Sequence, residues 1–110
     1  MKIDSKNGCA IVFEDKCTFH TFLEDLKTAY TSVKNENLIV NLSAFPDLTT
    51  EEVLQFRKLS DAHRAGKKSL VLVTDRISFD EVPEELQIVP TLQEAKDLIE
   101  MEEIERDLEL

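Results

Sequence analysis

With only two glycines, this chain lacks the means to build a glycine-rich phosphate cradle, and three prolines leave little room for linker sequence. Two cysteines, Cys9 and Cys17, do not make a disulfide framework, and in the absence of an export signal both are expected as reduced thiols. Histidine is equally scarce. Cys17-x-x-His20 has a metal-like spacing, but His63 stands in a different segment and no further Cys or His pair completes a four-ligand site. No G-x-S-x-G elbow is present, and adjacent carboxylates such as Glu14–Asp15, Glu51–Glu52, Asp80–Glu81 and Glu84–Glu85 read as solvated surface in a chain that is 33% charged. No enzyme activity and no cofactor are therefore expected.

Long apolar runs are missing too. Nothing approaches the roughly 18 residues of a membrane span, and the start Met-Lys-Ile-Asp-Ser has no signal-peptide core, so a cytoplasmic location is expected. Cationic charge is in deficit: 13 Lys and Arg face 23 Asp and Glu, a net of −10, which argues against nucleic acid and anionic membrane as partners. The deficit is concentrated at one end. Between Thr91 and Leu110 eight acidic residues face two basic ones, a net of −6. Arg57, Lys58, Arg64, Lys67 and Lys68 form a basic counter-cluster around Asp61, as a helix C-terminus favours.

What is present is the composition of one globular domain, 110 residues that are 42% hydrophobic. Lys2–Asp4 and Cys9–Phe13 read as strands joined at Ser5–Gly8, where Asn7-Gly8 is a hairpin signal. Phe19, Phe22, Leu23, Leu26, Ala29, Tyr30 and Val33 fall on one face of a helix. After a turn at 35–37, Leu38–Leu42 reads as a central strand. One helix is expected from about Thr50 to Ala65, with Val53, Leu54, Phe56, Leu59 and Ala62 inward and Gly66 just past its end. Ser69–Val73 is a further buried strand, 75–87 is irregular, Gln87–Val89 is a short last strand, and Thr91 opens a terminal helix. The order β-β-α-β-α-β-β-α predicts an α/β fold with a mixed sheet: an N-terminal hairpin, parallel central strands, and helices packed on them.

Two helix starts match the capping box, Thr49-Thr-Glu-Glu52 and Thr91-Leu-Gln-Glu94. The first follows directly on the central strand. In open α/β sheets ligands bind beyond the carboxyl ends of the strands. That rim is expected to hold Ser43, Asp47, Thr49 and Thr50 after one strand and Thr74, Asp75 and Arg76 after the next. Hydroxyls, a guanidinium and backbone N–H groups there suit an anion, a nucleotide or a partner's carboxylate.

The hairpin, the helix at Phe19–Val33, the strand at Leu38–Leu42, the helix at Thr49–Gly66, the strand at Ser69–Val73 and the ending Val89-Pro-Thr-Leu-Gln-Glu-Ala-Lys-Asp-Leu together resemble the STAS domain of sulfate transporters and anti-sigma-factor antagonists. The resemblance implies that fold over 1–110, with about 100–110 as a helical extension, and a role in regulation through protein contacts. It aligns Thr50 with the family's phosphorylated serine, Thr49 with its Asp and Glu52 with its Gly, making Thr50 the candidate phosphoacceptor. A phosphate there would be favoured by the helix dipole and opposed by Glu51 and Glu52. The tail from Ile88 is similar to short STAS-like chains labelled ribonuclease Z, whose metal cluster two isolated histidines cannot form.

Leu92, Ala95, Leu98, Ile99, Met101, Ile104 and Leu108 make an apolar series in the terminal helix. The later members, Met101, Ile104 and Leu108, are expected to overhang the domain as a helix interface. The leading reading is a non-catalytic interaction module docking a protein partner, or a second copy as a homodimer, through 46–53, the terminal helix or both. The alternatives are a phospho-regulated antagonist and a small-ligand (anion or nucleotide) protein using the rim.

Overall fold

Asn7 and Gly8 adopt left-handed backbone angles (φ 55° and 79°), the pair that a two-residue hairpin turn requires. They close strand β1 (Lys2–Lys6) antiparallel onto β2 (Cys9–Phe13), with Lys6 opposite Cys9. The expected turn was two residues too long. The tight turn matches the strand twist, so the ladder takes in Ser5 and Lys6.

The computed structural model describes residues 1–14 and 18–108. Helix α1 (Phe19–Val33) starts at Thr18, whose side chain accepts from the Thr21 N–H, and it buries Phe19, Phe22, Leu23, Leu26 and Val33. Strand β3 (Asn37–Asn41) follows, then α2 (Thr50–Leu54), α3 (Arg57–Ala65) and β4 (Leu70–Val73). A single 3-10 turn (Phe79–Glu81) separates β4 from β5 (Gln87–Val89), and α4 (Leu92–Leu108) ends the described chain.

The helix expected from Thr50 to Ala65 is two helices. The Gln55 N–H bonds to the Glu52 carbonyl and the Phe56 N–H to that of Val53, three residues back rather than four. This tighter step delivers Phe56, fully buried, edge-on to Phe19 at 5.7 Å between ring centres. The inward face also differs from expectation. Val53, Phe56, Ser60 and His63 are buried, whereas Leu54 and Ala62 are exposed. Spacing i, i+3, i+7, i+10 selects the face, and it overrides the polarity of Ser60 and His63. At the end of α3, Gly66 keeps a right-handed φ of −81°, and Lys67 takes the left-handed position at φ 66°.

The sheet is mixed and its strand order follows chain order, β1-β2-β3-β4-β5, parallel from β2 onward. Connections from β2 to β5 therefore all step the same way, which puts α1, α2 and α3 on one face. Ala10, Val12, Leu38, Val40, Leu70, Leu72 and Ile88 meet those helices in the larger core. Only α4 crosses to the other face. There Ala95 and Ile99 cover Ile39, Val71 and Val73, with Cys9 and Ile11 partly buried at the margin. No helix among the described residues is long and apolar enough to cross a membrane.

Candidate functional site

The segment from Ser43 to Val53 is built as a braced loop. Phe45 turns inward between Phe19 (5.6 Å) and Phe22 (5.5 Å), Leu48 is buried, and the Phe45 and Leu48 N–H groups bond to the carbonyls of Leu42 and Phe45. Thr49 then caps α2: its N–H bonds to Glu52 Oε1 at 3.0 Å, and its Oγ1 accepts from the Glu52 N–H at 3.2 Å. Both groups of the box are thus engaged with each other. Thr50, half-buried, is the first residue of a five-residue helix whose first turn already carries Glu51 and Glu52. So short a helix has little dipole to offer an anion.

Asp47 and the Thr74–Asp75 pair line separate hollows. Because the strand order never reverses along β2–β5, neighbouring connections do not diverge there as they do at a switch point. Asp47 lies with Phe19, Phe45, Pro46 and Glu52 around a shallow hollow of about 200 Å³. Thr74 and Asp75 lie instead with Ile77, Phe79, Ile88 and Pro90 around a separate hollow of about 270 Å³. Ser43 is exposed, and its N–H bonds back to Asn41 Oδ1. Thr74 is buried and accepts from the Arg76 N–H, while the exposed Arg76 guanidinium pairs with neighbouring Asp75 at 3.4 Å. Phe79, 76% exposed beside Thr74, was not expected from the sequence as part of this rim.

Helix α4 changes character along its length. In its first half the sheet-facing positions are apolar, Ala95 and Ile99. In its second half they are charged. Glu103 Oε1 accepts from Asn37 Nδ2 at 2.8 Å and from Arg106 at 2.7 Å, and Arg106 also donates to Ser69 Oγ at 3.0 Å. Glu102 pairs with Arg64 at 3.3 Å and accepts from the Ser69 hydroxyl. The Asn37 side chain also receives the buried Ser69 N–H at 2.9 Å, so it joins the amino ends of β3 and β4 to α4. Asn37 and then Arg106 hold the Glu103 carboxyl below its ordinary value by hydrogen bonding to its charged form. The apolar residues of this half point the other way: Met101, Ile104 and Leu108 are 58%, 55% and 79% exposed.

A second buried polar pair lies beside this cluster. His63 Nε2 faces the Glu36 carbonyl at 2.7 Å and therefore carries the proton, leaving Nδ1 to accept from the Tyr30 hydroxyl at 2.7 Å. Burial lowers the His63 pKa, against the pull of the Glu36 bond, with Arg64 and Lys68 lowering it further. Both imidazole nitrogens are committed to the fold. Neither this pair nor the Asn37 cluster stood out in the sequence, where Asn37 looked like a turn residue and Arg64, Glu102 and Glu103 like surface charge. The one available signal was the 53-56-60-63 spacing, which turns a serine and a histidine inward.

Cys9 is a half-buried thiol on the α4 side of β2. Burial raises its pKa, the Glu36 carboxylate adds to the rise, and Lys96 opposes it. It lines a hollow of about 310 Å³ with Asn37, Lys68, Lys96, Glu100 and Glu103. Cys17 lies outside the described residues, and His20 is exposed. Among the described residues no group of three or more His, Cys, Asp and Glu is placed to hold a metal ion.

A scan against protein-family models matched nothing, and a search of curated proteins likewise returned no match.

Proposed function

We propose that this chain is a non-catalytic protein-interaction module of STAS-like type, acting in the cytoplasm by docking a partner. The outer face of α4 is the principal surface and the braced segment at Pro46–Val53 the second. The observation that carries this reading is the polarity of α4 beyond Glu100: charged side chains face the sheet, and Met101, Ile104 and Leu108 face solvent. Single exposed apolar residues are ordinary, but three at i, i+3, i+7 make the anchor pattern of a helical docking face. Commitment of both His63 nitrogens to the fold, and a Cys9 thiol whose pKa burial pushes up, support a module without chemistry. Constitutive docking is favoured over a switch at Thr50, because Glu51 and Glu52 already supply negative charge at that helix start.

Deleting residues from 101 onward is no clean test, since it strips Asn37, Ser69 and Arg64 of their partners. The triple variant Met101→Ser, Ile104→Ser, Leu108→Ser alters only the outer face. Wild type should capture a protein that this variant loses while its circular dichroism and melting stay unchanged. If wild type is monomeric by sedimentation and the two proteins capture the same set, docking through α4 is wrong.

A small-ligand reading draws on the hollow beside Thr74, where exposed Phe79 offers a stacking surface. Nucleotides or phosphate should then raise the melting temperature, and Phe79→Ala should abolish the rise. No response to any of them would remove this alternative.

A further inference from the structure

The docking reading rests on the exposed apolar residues of α4, and the charges around them bear on the kind of partner. At 100° per residue, Met101, Ile104 and Leu108 form one stripe opposite the Ala95–Ile99 face. The same rotation puts Glu94 and Glu105 along one flank and Glu100 and Asp107 along the other, with Asp97 at the upper end. All five are exposed. The helix has only two cations to set against them: Arg106 turns inward to Glu103 and Ser69, and Lys96 is exposed on the Glu100 side, where both line the hollow with Cys9. The result is an apolar seam bordered on both sides by carboxylates, five of them exposed against the single outward cation Lys96.

Resting on the docking reading above, we infer that this face receives a cationic amphipathic helix of another protein, its apolar seam on Met101, Ile104 and Leu108 and its Lys or Arg flanks against those carboxylates. A second copy of the chain does not fit. Two α4 helices face to face would oppose carboxylate to carboxylate, a juxtaposition that disfavours pairing. The basic helix α3 has the right sign but turns Arg57, Lys58, Asp61, Ala62 and Ala65 outward, with no large apolar residue to fill the seam. The inward cluster of Asn37, Ser69, Arg64, Glu102, Glu103 and Arg106 fixes the seam in place before any partner arrives, which lowers the ordering cost of binding.

The test uses two synthetic peptides of about five helical turns, with the same leucine seam and either lysine or glutamate flanks. Fluorescence anisotropy gives affinity, and amide shifts locate the site. Expected is binding of the lysine peptide alone, with shifts confined to the outer positions of 94–108. Affinity should fall about tenfold or more between low and moderate salt, where the Debye length drops below about 10 Å. Met101→Ser, Ile104→Ser, Leu108→Ser should weaken it about tenfold or more at unchanged net charge. Neutralising Glu94, Asp97, Glu100, Glu105 and Asp107 to their amides should remove most of the salt dependence.

Binding of the lysine peptide that is indifferent to the serine variant would mean non-specific attraction to an acidic protein and would overturn the inference. So would equal binding of the glutamate peptide, or a concentration-dependent dimer abolished by the serine substitutions. The inference and the broader reading fail separately. A captured partner that needs the stripe but presents a neutral or acidic segment ends the first and leaves the second standing.

Discussion

Lys67 bears the clearest local strain in the described backbone. A side chain at φ 66° sets Cβ against its own carbonyl, and the turn out of α3 places Lys67 there while the adjacent Gly66, which would tolerate it, stays right-handed. Lys67→Gly is expected to stabilise the fold by about 0.5–1 kcal/mol, the relief being partly offset by a more flexible unfolded chain. Urea denaturation reads this as a higher midpoint at unchanged slope; a lower midpoint would mean that the lysine makes up for its backbone elsewhere. His63 sets a pH dependence at the same scale. Its folded pKa is lowered, so the unfolded chain binds the proton more tightly. Stability from this residue is fully present above the ordinary histidine value of about 6.5 and is lost as pH falls through the lower folded value. Stability measured between about pH 7 and 5 should decline in the wild type and decline less in His63→Gln, although the variant starts lower by about 1–3 kcal/mol from the disrupted bonds. Parallel slopes in the two proteins would show that His63 does not titrate in this range.

At the scale of elements, local chemistry was legible wherever it is contained within a few residues. The Asn7-Gly8 turn, the Thr49–Glu52 box, the apolar stripe of α1 and the short β5 all depend on neighbours in sequence, and all are where their residues predict. Cross-chain polar contacts were not. Asn37 meets Glu103 across 66 positions and Arg64 meets Glu102 across 38, and no spacing rule ties such pairs together. The same blindness hid Ser60 and His63, because polarity suggested solvent where helix geometry dictates burial. The seven rim residues were individually visible, but whether they converge depends on strand order, which the alternation of strands and helices leaves open. Asn37 is the test of the long-range cluster. Asn37→Ala removes the donor to Glu103 and the acceptor of the buried Ser69 N–H, leaving both without that partner. A loss of about 1–3 kcal/mol is expected, against about 1 kcal/mol for removal of the exposed cap in Thr49→Ala. Equal losses would mean that the cluster adds no more than a helix cap.

At the scale of the whole molecule, the sheet is covered unequally. On one side three helices bury a continuous apolar core that includes Phe22, Phe56, Leu38 and Leu72. On the other, α4 alone covers Ile39, Val71 and Val73 through Ala95 and Ile99, and its second half is held by polar contacts. Apolar burial contributes about 25 cal/mol per Å², whereas a polar contact contributes only about 1 kcal/mol net, so the α4 layer is the weaker of the two. The molecule should therefore open in stages. In native-state hydrogen exchange, α4 amides are expected to exchange through a sub-global opening, at lower free energy than the amides of β3 and β4, which wait for global unfolding. Glu103 adds a pH signature to this opening. Its folded pKa is depressed by Asn37 and Arg106, so its contribution is present above the ordinary glutamate value of about 4.3 and is lost as pH falls through the depressed one. The gap between α4 and the central strands should accordingly widen on acidification below about pH 4.3, and Asn37→Ala should widen it already at neutral pH. If α4 and β3 exchange at the same free energy at every pH, the two layers form one cooperative unit and the polar cluster binds α4 as firmly as an apolar core would.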